Sequence, residues 1–332
     1  MQVIEAFPPT ENVANLQLNA DGNLRHLLTL QGLDKSMLID LLDDAQRFVT
    51  EPGEPASRSK SLEGRTVANL FFEPSTRTRA SFDLAGKRLG ADVLNLDVNQ
   101  SSRKKGESIL DTVYTLQAMH VDVMVVRDAS AGVPSYIARH VNDHVSILNA
   151  GEAEASHPTQ GLLDLLTIRQ RKGRFEDLTV AIVGDIMHSR VARSAAQGLT
   201  TLGVGELRLI SPPALAPDPD EIPNALLLDN LDEGLRDADV VMALRIQRER
   251  IGSLDGIPGI DEYYANYGIS AERMKSAASD AIVMHPGPMN RGIEIESALS
   301  DSPASAITRQ VANGVAVRMA VLERVCESMD RR

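Results

Sequence analysis

Short apolar runs alternate with helical stretches in two successive blocks, and this alternation constrains the chain more than any other feature. In the first block, apolar runs at 66–72, 92–96, 121–126 and 145–148 frame helices predicted at 73–90, 109–119 and 134–141. Ahead of them, Met37, Leu38, Leu41, Leu42, Ala45 and Phe48 recur at helical steps. In the second block, runs at 178–183, 207–211, 240–244 and 281–284 alternate with a long amphipathic helix from His157, another at 191–202, and a final one at 305–329. The run at 178–183, Leu-Thr-Val-Ala-Ile-Val, is continuous rather than alternating, which marks a strand buried on both faces of a parallel sheet. Parallel neighbours need crossover helices, so the chain reads as α/β, with two Rossmann-like domains, each a parallel sheet flanked by helices. Length agrees: 332 residues exceed the roughly 150 that serve as a prior for one domain.

Composition enters by exclusion. With 46 acidic against 34 basic residues the formal net charge is -12, the wrong sign for a nucleic-acid partner or an anionic membrane surface. A single cysteine, Cys326, excludes a disulfide framework and fits a reducing, cytoplasmic setting. The opening MQVIEAFPPT lacks the basic-then-apolar order of a secretion signal, and no apolar run approaches a membrane span. The first twenty-odd residues show no periodicity and read as a poorly ordered arm.

On this acidic background the cations are clustered. Ser75-Thr76-Arg77-Thr78-Arg79 stands where a strand gives way to a helix, and a helix start favours anions through its unpaired N–H groups and dipole. Three hydroxyls add donors, and Arg77 adds a planar fork suited to phosphate. Simple capping by Ser75 with solvated arginines is the plainer alternative, but capping needs one hydroxyl, not three. A second basic loop, Ser101-Ser102-Arg103-Lys104-Lys105, reads on its own as a solvated face or a functional one. Arg127 ends a strand, the edge where open α/β sheets collect ligands. His157-Pro158-Thr159-Gln160 opens a helix at the junction of the two halves. Arg190 follows the buried strand, Arg245 and Gln247 follow another, and His285-Pro286-Gly287-Pro288 breaks the backbone after a third.

Other chemistries lack their residues. Gly184 stands alone where a dinucleotide fold needs G-x-G-x-x-G, and the Walker glycines are missing. His140 and His144 have no glutamate after the first histidine, so no zinc motif forms. There is no G-x-S-x-G elbow, and Cys326 has no base near it in sequence. The residues describe a two-domain enzyme that grips a phosphate and a carboxylate with fixed cations, and no cofactor or metal motif is expected.

Three motifs, in order, carry a family resemblance. F-x-E-P-S-T-R-T-R-x-S-F at 71–82, H-P-T-Q-x-L-L-D at 157–164 and H-P-G-P-x-N-R-G at 285–292 resemble the transcarbamoylases, and among them the aspartate carbamoyltransferase catalytic chains. Ornithine carbamoyltransferases share the S-T-R-T-R loop but typically carry Cys where Thr159 stands, and a Ser-Met-Gly signature absent here. The resemblance implies an arm at 1–23, a carbamoyl-phosphate-binding domain at 24–156 joined by a C-terminal helix at 305–332 that packs back on it, and an aspartate-binding domain at 157–304. It implies transfer of the carbamoyl group of carbamoyl phosphate to L-aspartate, an early step of pyrimidine biosynthesis. Ser75, Thr76, Arg77 and Thr78 would hold the phosphate, and Arg127, His157 and Thr78 the carbamoyl oxygen. Gln160 and the backbone of Pro286, Gly287 and Pro288 would hold the carbamoyl NH2. Arg190, Arg245 and Gln247 would take the aspartate carboxylates, while Ser101 and Lys105 would enter from a neighbouring subunit of a homotrimer. In some relatives such an arm contacts a dihydroorotase-like partner or an effector nucleotide, and the resemblance raises the same expectation, or a regulatory partner subunit, here. Two rivals remain at this stage: an ornithine or other acceptor in place of aspartate, and a non-catalytic binding subunit that kept the fold.

Overall fold

The computed structural model describes residues 13–51, 53–96, 108–247 and 256–330. The chain forms two compact units: one runs to Thr159 and takes in the chain from Asn313 onward, and the other is Gln160–Ala312.

In the first unit β1 (Thr66–Phe71), β2 (Asp92–Leu96), β3 (Val123–Asp128) and β4 (Ser146–Glu152) form a parallel sheet in the order β2-β1-β3-β4. The apolar runs pack helices on both faces, so β3 is buried along its whole length, while edge strand β2 stays partly exposed. At the opposite edge Leu27 pairs with Leu148 and covers β4, which is why β4 too is buried throughout. That cover carries β4 past its predicted end at residue 148: Asn149 donates to the Leu28 carbonyl and to Glu152, so a polar stretch is satisfied inside the sheet. The helix Thr76–Arg88 places Phe82 and Ala85 in the core and ends in Lys87 and Arg88, favourable charges at a helix C-terminus. Burying the Phe82 ring, which is 0% exposed, is worth about 1.5–3 kcal/mol.

The C-terminal helix Ile307–Asp330 belongs to the first unit over most of its length. Arg324 pairs with Asp44, Glu323 with Arg47 at 2.8 Å, Asp330 with Arg65, and the Arg318 guanidinium lies 5.1 Å from the centre of the Phe82 ring. Described residues of the predicted arm are ordered, contrary to the sequence expectation. Val13–Gln17 is helical, and the fully buried Gln17 accepts hydrogen bonds from the Leu28 and Thr29 amides through its side-chain oxygen. Five residues show no period, so only this tertiary anchoring orders them.

The second unit has β5 (Thr179–Val183), β6 (Glu206–Ile210), β7 (Leu226–Leu228), β8 (Val240–Ala243) and β9 (Ile282–Met284), all parallel, in the order β7-β6-β5-β8-β9. The continuous run at 178–183 becomes the central β5, as its composition demands. Edge strand β7 and the helices Leu231–Leu235 and Ile260–Tyr267 have no counterpart in the sequence reading. Among the described residues, no helix is long and apolar enough to cross a membrane.

Candidate active site

Strand order reverses once in each sheet, between β1 and β3 and between β5 and β8. At such a switch the loops beyond the strand ends diverge and leave room for a ligand. Each point gathers residues that the sequence singled out.

In the first unit, β1 runs into the start of helix Thr76–Arg88, whose N-cap residue is Ser75. The Ser75 side chain makes no capping hydrogen bond, so its role is not that of a simple cap. Thr76 and Arg77 are exposed at the helix start, while Thr78 is 8% exposed. Arg127 sits directly beside Phe71 in the strand register, and its carbonyl accepts from the Phe72 amide at 2.8 Å. Its guanidinium donates to the Ala150 carbonyl at 3.0 Å and pairs with Glu73 at 3.1 Å. Glu73 thus locks the strand-end arginine to the hydroxyl-bearing loop, with Arg127 only 8% exposed. His157, 5% exposed, immediately precedes the helix Pro158–Lys172, beyond the end of β4.

In the second unit, Gly184 follows β5 with φ +133°, and a Cβ there would lie 2.5 Å from the Leu244 carbonyl oxygen. Only glycine permits that approach, and it brings the two loops beyond β5 and β8 together. Asp185, 0% exposed, fastens them: its carboxylate accepts from His188 Nδ1 at 2.8 Å and from the Gln247 amide at 3.0 Å. The Gln247 side chain donates back to the His188 carbonyl at 2.7 Å. On one side of this clamp Arg190 opens the helix Arg190–Leu202, capped by Ser189; on the other stands Arg245, partly exposed. Asp185 is therefore engaged within the protein. Gln160 and the turn of Pro286, Gly287 and Pro288 also belong to this unit.

Ser101 and Lys105 lie outside the described residues. Among groups set aside on sequence grounds, His140 bonds through Nδ1 with the Tyr136 carbonyl at 2.7 Å. Burial pushes the Cys326 thiol up to about 12, which leaves it protonated and unreactive at neutral pH. Sequence reasoning missed Glu73 and Asp185 as partners. Both stand inside quoted segments, E-P-S-T and G-D-I-M-H-S-R, but the partners that tie them across the sheet, Arg127 and Gln247, come from other strand ends and leave no local signal.

The fold thus has two switch points, one at a helix start that carries hydroxyls and the other flanked by Arg190 and Arg245. The aspartate/ornithine carbamoyltransferase family matches the chain in two parts, its carbamoyl-P binding domain over residues 25–170 and its Asp/Orn binding domain over residues 176–325. The chain belongs to this family. Among solved structures, aspartate transcarbamoylase from Trypanosoma cruzi in complex with carbamoyl phosphate is 31% identical, with 96% of this chain and 98% of that chain covered and a TM-score of 0.81. The same enzyme with N-(phosphonacetyl)-L-aspartic acid matches at 31% identity over 95% and 99% of the two chains, with a TM-score of 0.80. Ornithine carbamoyltransferase from Pyrococcus furiosus matches at 28% identity over 91% and 97%, with a TM-score of 0.81.

Proposed function

We propose that this carbamoyltransferase uses L-aspartate as its acceptor, giving N-carbamoyl-L-aspartate and phosphate, the early step of pyrimidine biosynthesis. The observation that carries the reading is that Arg190 and Arg245 both stand at the second switch point, one opening the helix after β5 and the other following β8, while Asp185 is bonded to His188 and Gln247. Two guanidiniums suit a dicarboxylate. A cationic acceptor such as ornithine needs available acidic groups there instead. Fold similarity does not separate the two, since aspartate and ornithine enzymes match equally well.

In this reading Ser75, Thr76, Arg77 and Thr78 hold the phosphate of carbamoyl phosphate. Thr78, Arg127 and His157 aim donors at the carbonyl oxygen, where negative charge grows as the unprotonated aspartate amine attacks the carbonyl carbon. Removing one such donor commonly raises a barrier by about 3–4 kcal/mol. The new C–N bond forms, the C–O bond to phosphate breaks, and the departing phosphate carries off the amine proton. No covalent enzyme intermediate is needed. Holding both anions in place supplies the remaining advantage, largely entropic. The family likeness supports a cytoplasmic homotrimer in which Ser101 and Lys105 serve a neighbouring subunit's site, and an arm that meets a partner or regulatory subunit.

The test is an assay of the purified chain with carbamoyl phosphate and aspartate, ornithine or acetylated ornithine in turn. Carbamoyl-aspartate formation alone is expected. Turnover with a cationic acceptor, or none with any, overturns the reading.

A further inference from the structure

Gln160 donates through Nε2 to Asp164 Oδ1, one turn further along its helix, at 3.0 Å. Asp164 is 0% exposed, and the same oxygen accepts from Nε2 of Gln310 at 2.6 Å, although 146 residues separate the two. Gln310, 1% exposed, uses its oxygen to accept the His285 backbone N–H at 3.0 Å. A buried chain of hydrogen bonds thus runs from Gln160 to the first residue of the His285–Pro288 turn. The His285 ring holds the turn from its other side: Nδ1 accepts the Gly287 N–H at 2.8 Å, and Nε2 donates to the buried Glu294 at 3.1 Å. Glu294 also accepts from the Asn290 amide.

Polarity in this chain is determined at every link. A carboxylate only accepts, so both glutamines must turn their NH2 groups to Asp164. A backbone N–H only donates, so Gln310 must turn its oxygen to His285. Each amide is held in one orientation by chemistry rather than by choice of flip. The Gln160 oxygen is then turned away from Asp164 and left to accept from a ligand. The Gly287 N–H likewise sets the His285 tautomer, with the proton on Nε2.

We infer that Asp164 and Gln310, with Glu294 acting through His285, are positioning residues that present the Gln160 oxygen and the carbonyls of the Pro286–Pro288 turn as matched acceptors for one NH2 group. This rests on the proposed use of carbamoyl phosphate and adds a specificity to it: the relay makes the site discriminate an NH2 donor from an isosteric methyl group. Acetyl phosphate, which has that methyl, and inorganic phosphate, which has neither, are the probes.

Binding of carbamoyl phosphate, acetyl phosphate and inorganic phosphate is measured on the full chain and on Asp164→Leu, Asp164→Asn and Gln310→Met. Asp164→Leu removes the shared acceptor and should weaken carbamoyl phosphate about 10- to 100-fold while leaving the other two within about twofold. Asp164→Asn keeps an oxygen at the shared position and should restore most of the lost selectivity. Gln310→Met cuts only one link and should show the same pattern at about fivefold, which carries the test if Asp164→Leu does not fold. Equal weakening of all three ligands in the variants, or none, overturns the relay. A parent chain that binds carbamoyl phosphate no better than acetyl phosphate shows no discrimination to relay and overturns it too. Failure of the proposed reaction is distinguished by the acceptor assay of the parent, which does not involve these variants.

Discussion

In the proposed reading the two switch points solve the same problem, holding an anion, with different materials. Beyond β1 and β3 the donors are many and small: a helix start, the hydroxyls of Ser75, Thr76 and Thr78, and a strand-end arginine tied to Glu73 at 3.1 Å and to the Ala150 carbonyl. Beyond β5 and β8 they are few and fully charged: Arg190 and Arg245 on loops fastened by Asp185 through His188 and Gln247. Convergent N–H and O–H groups suit a phosphate, which offers several oxygens in a tight tetrahedron. Two separated guanidinium forks suit two carboxylates some distance apart. In both places a carboxylate, half-buried at Glu73 and fully buried at Asp185, holds the cation-bearing loops, so removing it should disturb geometry before charge.

This contrast can be broken by substitution. The largest effect is expected at the first switch point: Arg77→Ala should lower kcat/KM by about 10³-fold, because its charge serves bound and departing phosphate alike. Gel filtration should show the variant's assembly unchanged, and a modest loss would mean that the helix start alone holds the anion. A smaller and differently shaped effect is expected at the second. Arg245→Ala should raise the KM for aspartate about 100-fold and leave the dissociation constant of carbamoyl phosphate alone. Two-substrate kinetics separate these outcomes, and a parallel loss for both ligands would erase the division of labour. The smallest effect is expected away from both. Asp34 caps the helix Lys35–Arg47 by accepting from the Met37 amide at 2.8 Å, and that hydrogen bond holds its carboxyl below the ordinary carboxylate range. Asp34→Ala should cost about 1 kcal/mol of stability at neutral pH with activity intact. Because the folded-state value is the lower one, the stabilisation is present above the ordinary aspartate range and is lost as pH falls through the folded-state value. Denaturant melts of parent and variant should therefore converge in acid.

Legibility in the sequence followed the range of the interaction. The strand at Thr66–Phe71, the helix after Ser75 and the central β5 were readable because side-chain period and helix-start chemistry are local. The short β7 and the helical Val13–Gln17 were not, since each owes its form to neighbours distant in sequence. Within the site, the residue types of Ser75 to Thr78, Arg127, Gln160 and Arg245 stood out, but their supports did not. Glu73 gains meaning only when β3 pairs with β1, and Gln310 only when the helix Ile307–Asp330 meets Asp164.

By itself, then, the sequence determined that this chain builds two parallel sheets and carries its cations at strand ends, because burial and helix-start polarity act over a few residues. The tertiary structure alone decided which strand ends become neighbours, which carboxylate fastens which loop, and which atom of Gln160 is left for a ligand. Those outcomes depend on strand order and on the one-way polarity of hydrogen bonds between residues as far apart as 146 positions, a separation across which no local pattern carries information.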